Sequence, residues 1–173
     1  DDPGVSQLGF NFRNARLDYF RGDFMWAQAQ LDVLKSATSQ LIANDALSLS
    51  LLISDNLDAD SSNLALLLFS KADLLAYRKK DDEAMLVFDS VLTEYPGHSL
   101  TDDTWFRQSQ IMDRRKKYAE EDPLLSKIVA EYPDDILADD ALFTRATLYE
   151  QKLANKQKAM ELYENLLTTY PGS

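Results

Sequence analysis

Residues 94–106 read EYPGHSLTDDTWF, and residues 131–143 read EYPDDILADDALF. A third copy begins at residue 169 with TYPGS, and the sequence stops there. The prolines of the three copies, at 96, 133 and 171, are 37 and then 38 residues apart. A period of this length is typical of proteins that stack one supersecondary unit many times. The sequence therefore predicts a repeat protein.

Within one period, the apolar residues follow the spacing of an α-helix twice. Ala84, Phe88 and Val91 are separated by four and then three residues, which places them on one helical face. Leu68, Ala72 and Leu75 form a second apolar stripe, and the polar segment 78–82 separates the two stripes. Proline then ends the second helix, because it lacks an amide hydrogen and disfavours the helical conformation of the preceding residue. Each period is predicted to be two amphipathic helices joined by a tight turn.

One position in each predicted helix is usually small, which lets the two helices of a pair approach closely. The last copy is one residue longer, and the extra residue fits the loop around 154–155. The small position holds Ala15, Ala72, Ser109 and Ala146 in the first helix, and Ala27, Ala84, Glu121 and Ala159 in the second.

This arrangement resembles the tetratricopeptide repeat. One copy fills the positions of that motif with Trp105, Ser109, Met112, Leu125, Ile128 and Pro133. The last copy fills them with Leu142, Ala146, Tyr149, Ala159, Tyr163, Leu166 and Pro171. Other positions depart from the motif: Lys71, Gln108 and Arg145 replace an apolar residue, Glu121 replaces a small one, and Ser39 replaces proline. The resemblance implies a right-handed α-solenoid that binds other proteins.

We therefore expect an all-α fold, a right-handed α-solenoid of tetratricopeptide-like helix-turn-helix repeats with about nine helices. The repeats are predicted at about residues 8–39, 64–97, 101–134 and 138–171 of a single domain spanning 1–173. Residues 41–56, LIANDALSLSLLISDN, have helical periodicity and predict one unpaired extra helix. A loop follows at 58–62, in which Ser61 or Ser62 would cap the next helix. Both ends of the sequence read as loops, so we expect a piece of a longer protein.

The composition argues against several classes of function. The net charge of −11 disfavours nucleic acid as a partner, because binding a phosphate backbone requires an excess of cations. The longest apolar run, residues 64–69, is too short to span a bilayer, so direct membrane insertion is not expected. Cysteine is absent, which excludes disulfides and thiolate metal sites within this sequence.

No arrangement of residues in the sequence predicts catalysis. His98 is the single histidine and stands beside Gly97, where we expect a turn residue. The carboxylate pairs at 134–135 and 139–140 lack the alternating ligands and the glycine of a calcium loop, and helix capping accounts for them. The sequence also lacks a phosphate-binding glycine loop, a helical histidine pair for zinc and a nucleophile motif. We expect no enzyme activity, no cofactor and no metal site.

A phenylalanine stands three residues before the small residue of each first helix, at positions 12, 69, 106 and 143. In the tetratricopeptide repeats that this chain resembles, this position borders the concave groove in which peptides lie. Aromatic side chains flanked by polar groups suit a bound peptide. The alternative is that each phenylalanine packs against the preceding repeat as core, and the sequence leaves both interpretations open. The predicted groove residues are Phe12, Arg16, Tyr19, Phe69, Asp73, Asp103, Phe106, Gln110, Asp113, Asp140, Phe143, Thr147 and Glu150.

The expected function is that of a non-catalytic scaffold, which binds a protein or peptide partner in the concave groove. The alternative is a structural spacer or oligomerisation arm whose groove holds no ligand. The segments EYPDDILADDALF and LYENLLTTYPGS are similar to repeat proteins of the bacterial cell envelope, which work in assembly or scaffolding near the outer membrane. This similarity implies a periplasmic or outer-membrane-associated protein, with the cytoplasm as the alternative.

The last predicted repeat has no following unit in the sequence. Terminal repeats need a polar-faced cap, so we expect some of the side chains of Leu142, Leu148, Leu162 and Leu166 to be uncovered. Exposed apolar surface promotes association. The sequence thus predicts a dimer through the truncated C-terminal end.

Overall fold

The computed structural model describes residues 3–36, 40–57 and 62–172, and this part of the chain forms nine α-helices and no β-strand. The prediction of an all-α helical repeat of the solenoid class is confirmed, and the extra helix expected near 41–56 is α3. The helices are α1 Pro3–Arg21, α2 Phe24–Leu34, α3 Gln40–Asp55, α4 Leu64–Tyr77, α5 Asp81–Glu94, α6 Leu100–Arg114, α7 Tyr118–Glu131, α8 Leu137–Gln151 and α9 Lys156–Thr169.

Each turn inside a helix pair contains one residue with a positive φ angle. Positive φ angles occur at Gly22, Lys79, Lys116 and Ala154. After the first three of these residues, the next amide donates to the carbonyl oxygen five residues earlier, as Lys80 does to Leu75 over 2.9 Å. In the last pair, the corresponding hydrogen bond runs from Asn155 to Tyr149, six residues earlier. The predicted one-residue insertion around 154–155 is therefore a longer turn.

Proline follows the second helix of three pairs, as the sequence predicts. A tyrosine separates each helix from its proline, with φ of −126°, −128° and −123° at Tyr95, Tyr132 and Tyr170. The helices end there because the residue before proline is disfavoured in the helical conformation. His98 lies in the turn after α5, and its Nδ1 accepts a hydrogen bond of 3.1 Å from the amide of Leu100. The histidine is thus a turn residue at the start of α6.

The chain divides into two compact units, residues 1–100 and residues 101–173. In the first unit, α1 packs against α2 and α4 packs against α5, while α3 lies against α2 and α1 contacts α4. The rings of Phe69 and Phe88 meet edge to face at 5.3 Å in the core of the α4–α5 pair, and both side chains are fully buried. The hydroxyl of Ser99 donates to Asn56 Oδ1 over 2.6 Å, which ties the end of α3 to the turn after α5.

In the second unit, α8 packs against both α7 and α9. One core cluster contains Leu125 and Ile128 of α7 with Ala141 and Leu148 of α8, and Trp105 and Phe106 of α6 pack against it. A second cluster joins Leu142 and Ala146 of α8 to Leu162 of α9. Ala146 is fully buried between these two helices, as expected for the small position of the repeat.

Two expectations from the sequence differ from the structure. Leu142, Leu148 and Leu162 are only 1%, 3% and 5% exposed, so the expectation that they lie uncovered is wrong. The helices of the second unit already cover them, because α7 packs on one side of α8 and α9 on another; Leu166 is half-buried. Helix α4 begins after Asn63, which has a left-handed conformation, rather than directly after Ser62, and Ser61 lies outside the described residues.

Candidate functional site

The predicted groove residues of the first unit differ in their exposure. Tyr19 and Phe69 are fully buried, so neither side chain offers a surface to a partner. Both side chains lie in the core of the first unit. The half-buried members are Phe12, Arg16 and Asp73.

Arg16 lies over two aromatic rings of the first unit. Its guanidinium carbon is 4.1 Å from the ring centre of Tyr77 in α4 and 5.7 Å from that of Phe20 in α1. A cation over an aromatic ring is attracted by the electron density of the ring face. Arg16 therefore contributes to the packing of α1 against α4.

The predicted residues of α8 form an ordered row on the surface of the second unit. Phe143 is 53% exposed, and its ring centre lies 6.2 Å from that of Tyr163 in α9. The hydroxyl of Tyr163 donates to Glu150 over 2.9 Å and lies 3.4 Å from the hydroxyl of Thr147. Tyr163 thus holds three of the predicted side chains in place, one aromatic and two polar.

The predicted residues of α6 are less uniform. Phe106 is half-buried and packs against the core cluster formed by α7 and α8, which agrees with the core interpretation. Asp103 is half-buried. Gln110 and Asp113 are exposed one helical turn apart, and Arg107 donates to Gln110 Oε1 over 3.2 Å. The exposed predicted residues of α6 are therefore polar.

A cleft of about 300 Å³ brings part of the predicted set together. Asp113 lines the cleft from α6, and Phe143 and Thr147 line it from α8. The other lining residues, which the sequence analysis did not assign to a site, are Glu121, Thr144, Leu148, Gln151 and Lys152. The cleft combines an exposed aromatic ring with carboxyl, hydroxyl, amide and ammonium groups.

Glu121 is a buried carboxyl group in the wall of this cleft. Its residue exposure is 3%, and its Oε2 has no hydrogen-bond partner within the described part of the chain. Burial raises the pKa of Glu121 to about 7, and the negative charge of Asp113 acts in the same direction, while Lys152 opposes it. The sequence marks Glu121 as unusual, because it occupies the small position of the repeat, which is Ala84 and Ala159 in the neighbouring pairs.

A second carboxylate, that of Asp122 in α7, forms hydrogen bonds to α8. Arg145 Nε donates to Asp122 Oδ1 over 2.5 Å, and the hydroxyl of Tyr149 donates to Oδ2 over 3.1 Å. Both side chains of the ion pair are 19% exposed, so water screens it less than a surface pair. Arg145 stands where the repeat motif has an apolar residue, and its bond to α7 gives that departure a structural role.

Carboxylates also occupy the start of α6 and of α8. Burial, together with the negative charge of Asp135, raises the pKa of Asp102 to about 6. Asp135 accepts a hydrogen bond of 3.1 Å from the amide of Leu137, and Asp139 accepts one of 2.8 Å from the amide of Asp140. The pKa of Asp140 is raised by burial and by Asp139. Among the described residues, no group of three or more acidic or histidine side chains is arranged to hold a metal ion.

The family comparison matches two of the helix pairs. Residues 66–98 and 140–173 match the model of the family described as tetratricopeptide repeat. These matches support the tetratricopeptide repeat family. They correspond to α4 with α5 and to α8 with α9, and tetratricopeptide repeats generally mediate protein–protein interactions. The α6–α7 pair between them carries Glu121 at the small position and Pro123 inside α7. No curated protein sequence matches the chain.

Within the described ranges, no helix combines the length and the apolar character that crossing a membrane requires.

Proposed function

We propose that this chain is a non-catalytic scaffold that binds a segment of a partner protein in a groove of its repeats. The observation that supports it best is the row of Phe143, Thr147 and Glu150 on α8, held in place by Tyr163. An exposed aromatic ring between polar groups is the arrangement that recurs at the centre of protein interfaces.

The position of Phe143 supports this assignment over a purely structural one. It occupies the same repeat position as the fully buried Phe69, yet it is 53% exposed. Complete burial of a phenylalanine side chain is worth about 1.5–3 kcal/mol, and a bound partner would supply roughly half of this at Phe143, which is already half covered. In the first unit, taken by itself, the half-buried Phe12 and Asp73 are proposed to contact a partner as well.

The experiment uses the partner that the protein retains in its native organism, identified by affinity purification and then reconstituted from purified components. Calorimetry should show that Phe143→Ser raises the dissociation constant at least tenfold, about 1.4 kcal/mol. Leu86→Ser is the matched control, because Leu86 is 69% exposed on α5 and belongs to no proposed site. If both variants bind like the parent, or if no partner binds with defined stoichiometry, the spacer alternative replaces this proposal.

We also propose, as part of this function, a place in the bacterial cell envelope, in the periplasm or at the outer membrane. Its support is the similarity of residues 131–143 and 162–173 to envelope repeat proteins. Cell fractionation with the native gene tests it, and recovery with cytoplasmic markers would contradict it.

Self-association through the C-terminal helix pair is the remaining proposal. Met160 and Leu167 are 65% and 73% exposed on α9, and their spacing of seven residues places them on one face. Sedimentation should show a dimer that Met160→Ser with Leu167→Ser dissociates. A chain that is monomeric at every concentration would exclude this dimer.

A further inference from the structure

The carboxyl group of Glu121 is unfavourable for the stability of the fold. At the same repeat position, Ala84 is 0% and Ala159 is 3% exposed, so the position accepts a small side chain. Glu121 places a carboxyl group there, and its Oε2 finds no hydrogen-bond partner among the described residues. Burying a polar atom without a hydrogen bond is costly, and the cost is larger for a charge. The helix packing of the α6–α7 pair does not require a carboxyl group at this position.

The surroundings of Glu121 show which ligand would satisfy it. Glu121 and Asp113 both line the cleft, whereas Lys152 supplies its single ammonium group. The ammonium nitrogen of Lys152 lies 5.8 Å from the ring centre of Tyr118, and Lys152 is exposed. The cleft is therefore lined by two acidic groups and one exposed cation. The chain as a whole carries a net charge of −11, which attracts basic segments.

The size and shape of the cleft suit one long side chain. A volume of about 300 Å³ is at the lower limit for small-molecule pockets. The ring of Phe143 and the side chain of Leu148 provide apolar contact, and Thr144, Thr147 and Gln151 provide polar groups. A guanidinium group combines several hydrogen-bond donors with a flat surface that stacks on aromatic rings.

We propose that this cleft binds an arginine side chain of the partner polypeptide, with Glu121 and Asp113 accepting hydrogen bonds and Phe143 stacking on the guanidinium. The proposal rests on the proposed function and names the chemistry of the partner. Arginine is favoured over lysine because a planar guanidinium can bond to both carboxylates while it contacts the ring. Glu121 thus makes the cleft selective for arginine, while its buried carboxyl group lowers the folding stability of the α6–α7 pair.

The binding should depend on pH. The charged groups that face Glu121 are Asp113 on α6, Asp122 on its own helix and Lys152 after α8. Because Glu121 loses its proton near pH 7, arginine binding should strengthen at least threefold from pH 5.5 to pH 8.

A random library of phage-displayed dodecapeptides, panned on the chain, tests the proposal without a known partner. The expected result is enrichment of arginine at one peptide position. The affinity of such a peptide, measured by fluorescence anisotropy, should fall at least tenfold in Glu121→Gln, which keeps the size of the side chain. Exchange of the peptide arginine for lysine should weaken binding, and exchange for glutamate should abolish it. Glu120→Gln is the control, because Glu120 is exposed one residue away.

The outcomes separate this inference from the proposed function. Peptides that lack arginine but lose binding in Phe143→Ser would overturn the arginine site and leave the scaffold function standing. Arginine peptides that bind Glu121→Gln as well as the parent would also overturn it. A library that yields no binder contradicts both proposals. Glu121→Ala, which restores the residue of the neighbouring repeats, serves as a second variant if Glu121→Gln does not fold.

Discussion

The hydroxyl of Tyr170 donates a hydrogen bond of 2.8 Å to the carbonyl oxygen of Pro133, 37 residues earlier in the chain. Tyr170 precedes the proline of the last repeat, and Pro133 is the proline of the repeat before it. The bond therefore joins the ends of α9 and α7, two successive second helices of the repeat. It shows that the tyrosine before proline contributes to the contact between repeats as well as ending a helix.

Removing this bond should weaken the second unit slightly. We expect Tyr170→Phe to lower the free energy of unfolding by about 0.5–1.5 kcal/mol, the net value of one hydrogen bond. Urea denaturation followed by circular dichroism measures the change. Tyr95→Phe is the control, because Tyr95 holds the equivalent position and its hydroxyl has no hydrogen bond within the described part of the chain. An equal loss of unfolding free energy in Tyr95→Phe and Tyr170→Phe would contradict a role for the Tyr170 hydrogen bond.

The small residue between α8 and α9 gives a larger effect. Ala146 is fully buried against Leu142 and Leu162, so Ala146→Leu should overpack the contact and cost about 1–3 kcal/mol. Ala154→Leu, in the exposed turn, should change the melting temperature little. Equal melting temperatures for the two variants would show that the repeat register is misassigned.

The turn before α9 offers a stabilising change. Ala154 has φ of +52°, a conformation that is unfavourable for residues with a β-carbon and free for glycine. Ala154→Gly should therefore raise the free energy of unfolding by about 0.5–1 kcal/mol. Glu164→Gly, in the middle of α9, should lower it by a similar amount, because glycine weakens a helix interior. If Ala154→Gly and Glu164→Gly lower the free energy of unfolding equally, Ala154 does not have the left-handed conformation.

The stability of the second unit should fall as the pH rises. The folded chain holds a proton on Glu121 up to about pH 7, against an ordinary pKa of 4.5, and on Asp102 up to about pH 6, against 3.8. A group whose pKa is raised by folding binds more protons in the folded state, so its contribution is full at low pH and is lost between the two pKa values. The window is therefore about pH 4 to 7.

Glu121→Gln isolates this contribution from the other carboxylates. The variant should be more stable than the parent by about 1–3 kcal/mol at pH 8, where the parent carries a buried charge. Near pH 4.5 the difference should largely disappear, because Glu121 is protonated in the folded parent. Urea unfolding at the two pH values measures it, and a difference that does not change with pH would contradict the buried charge.

Much of the fold could be predicted because helix spacing is a local property. The spacing of Ala84, Phe88 and Val91 defines a buried helical face, and all three are at most 1% exposed. The prolines mark the helix ends because their effect is confined to the adjacent residue. The extra residue in the last copy was placed correctly in the turn at 154–155 for the same reason.

The candidate site was less predictable, because the exposure of each side chain depends on which neighbouring helices pack over it. Phe69 and Phe143 hold the same repeat position, but Phe69 packs against Phe88 in the core whereas Phe143 lies beside Tyr163 at the surface. Spacing alone does not distinguish these environments. The sequence shows that Glu121 departs from the motif. That Glu121 lines a cleft follows only from the structure, because other walls of the cleft come from α6 and α8.

The most direct test of the scaffold function is site-specific photo-crosslinking in the native cell. A benzophenone amino acid replaces Phe143 in one strain and Leu86 in another, since both side chains are more than half exposed. We expect a discrete crosslinked protein at position 143 that is absent at position 86. Crosslinking of equal yield at the two positions, or none at 143, would contradict a partner-binding groove at α8.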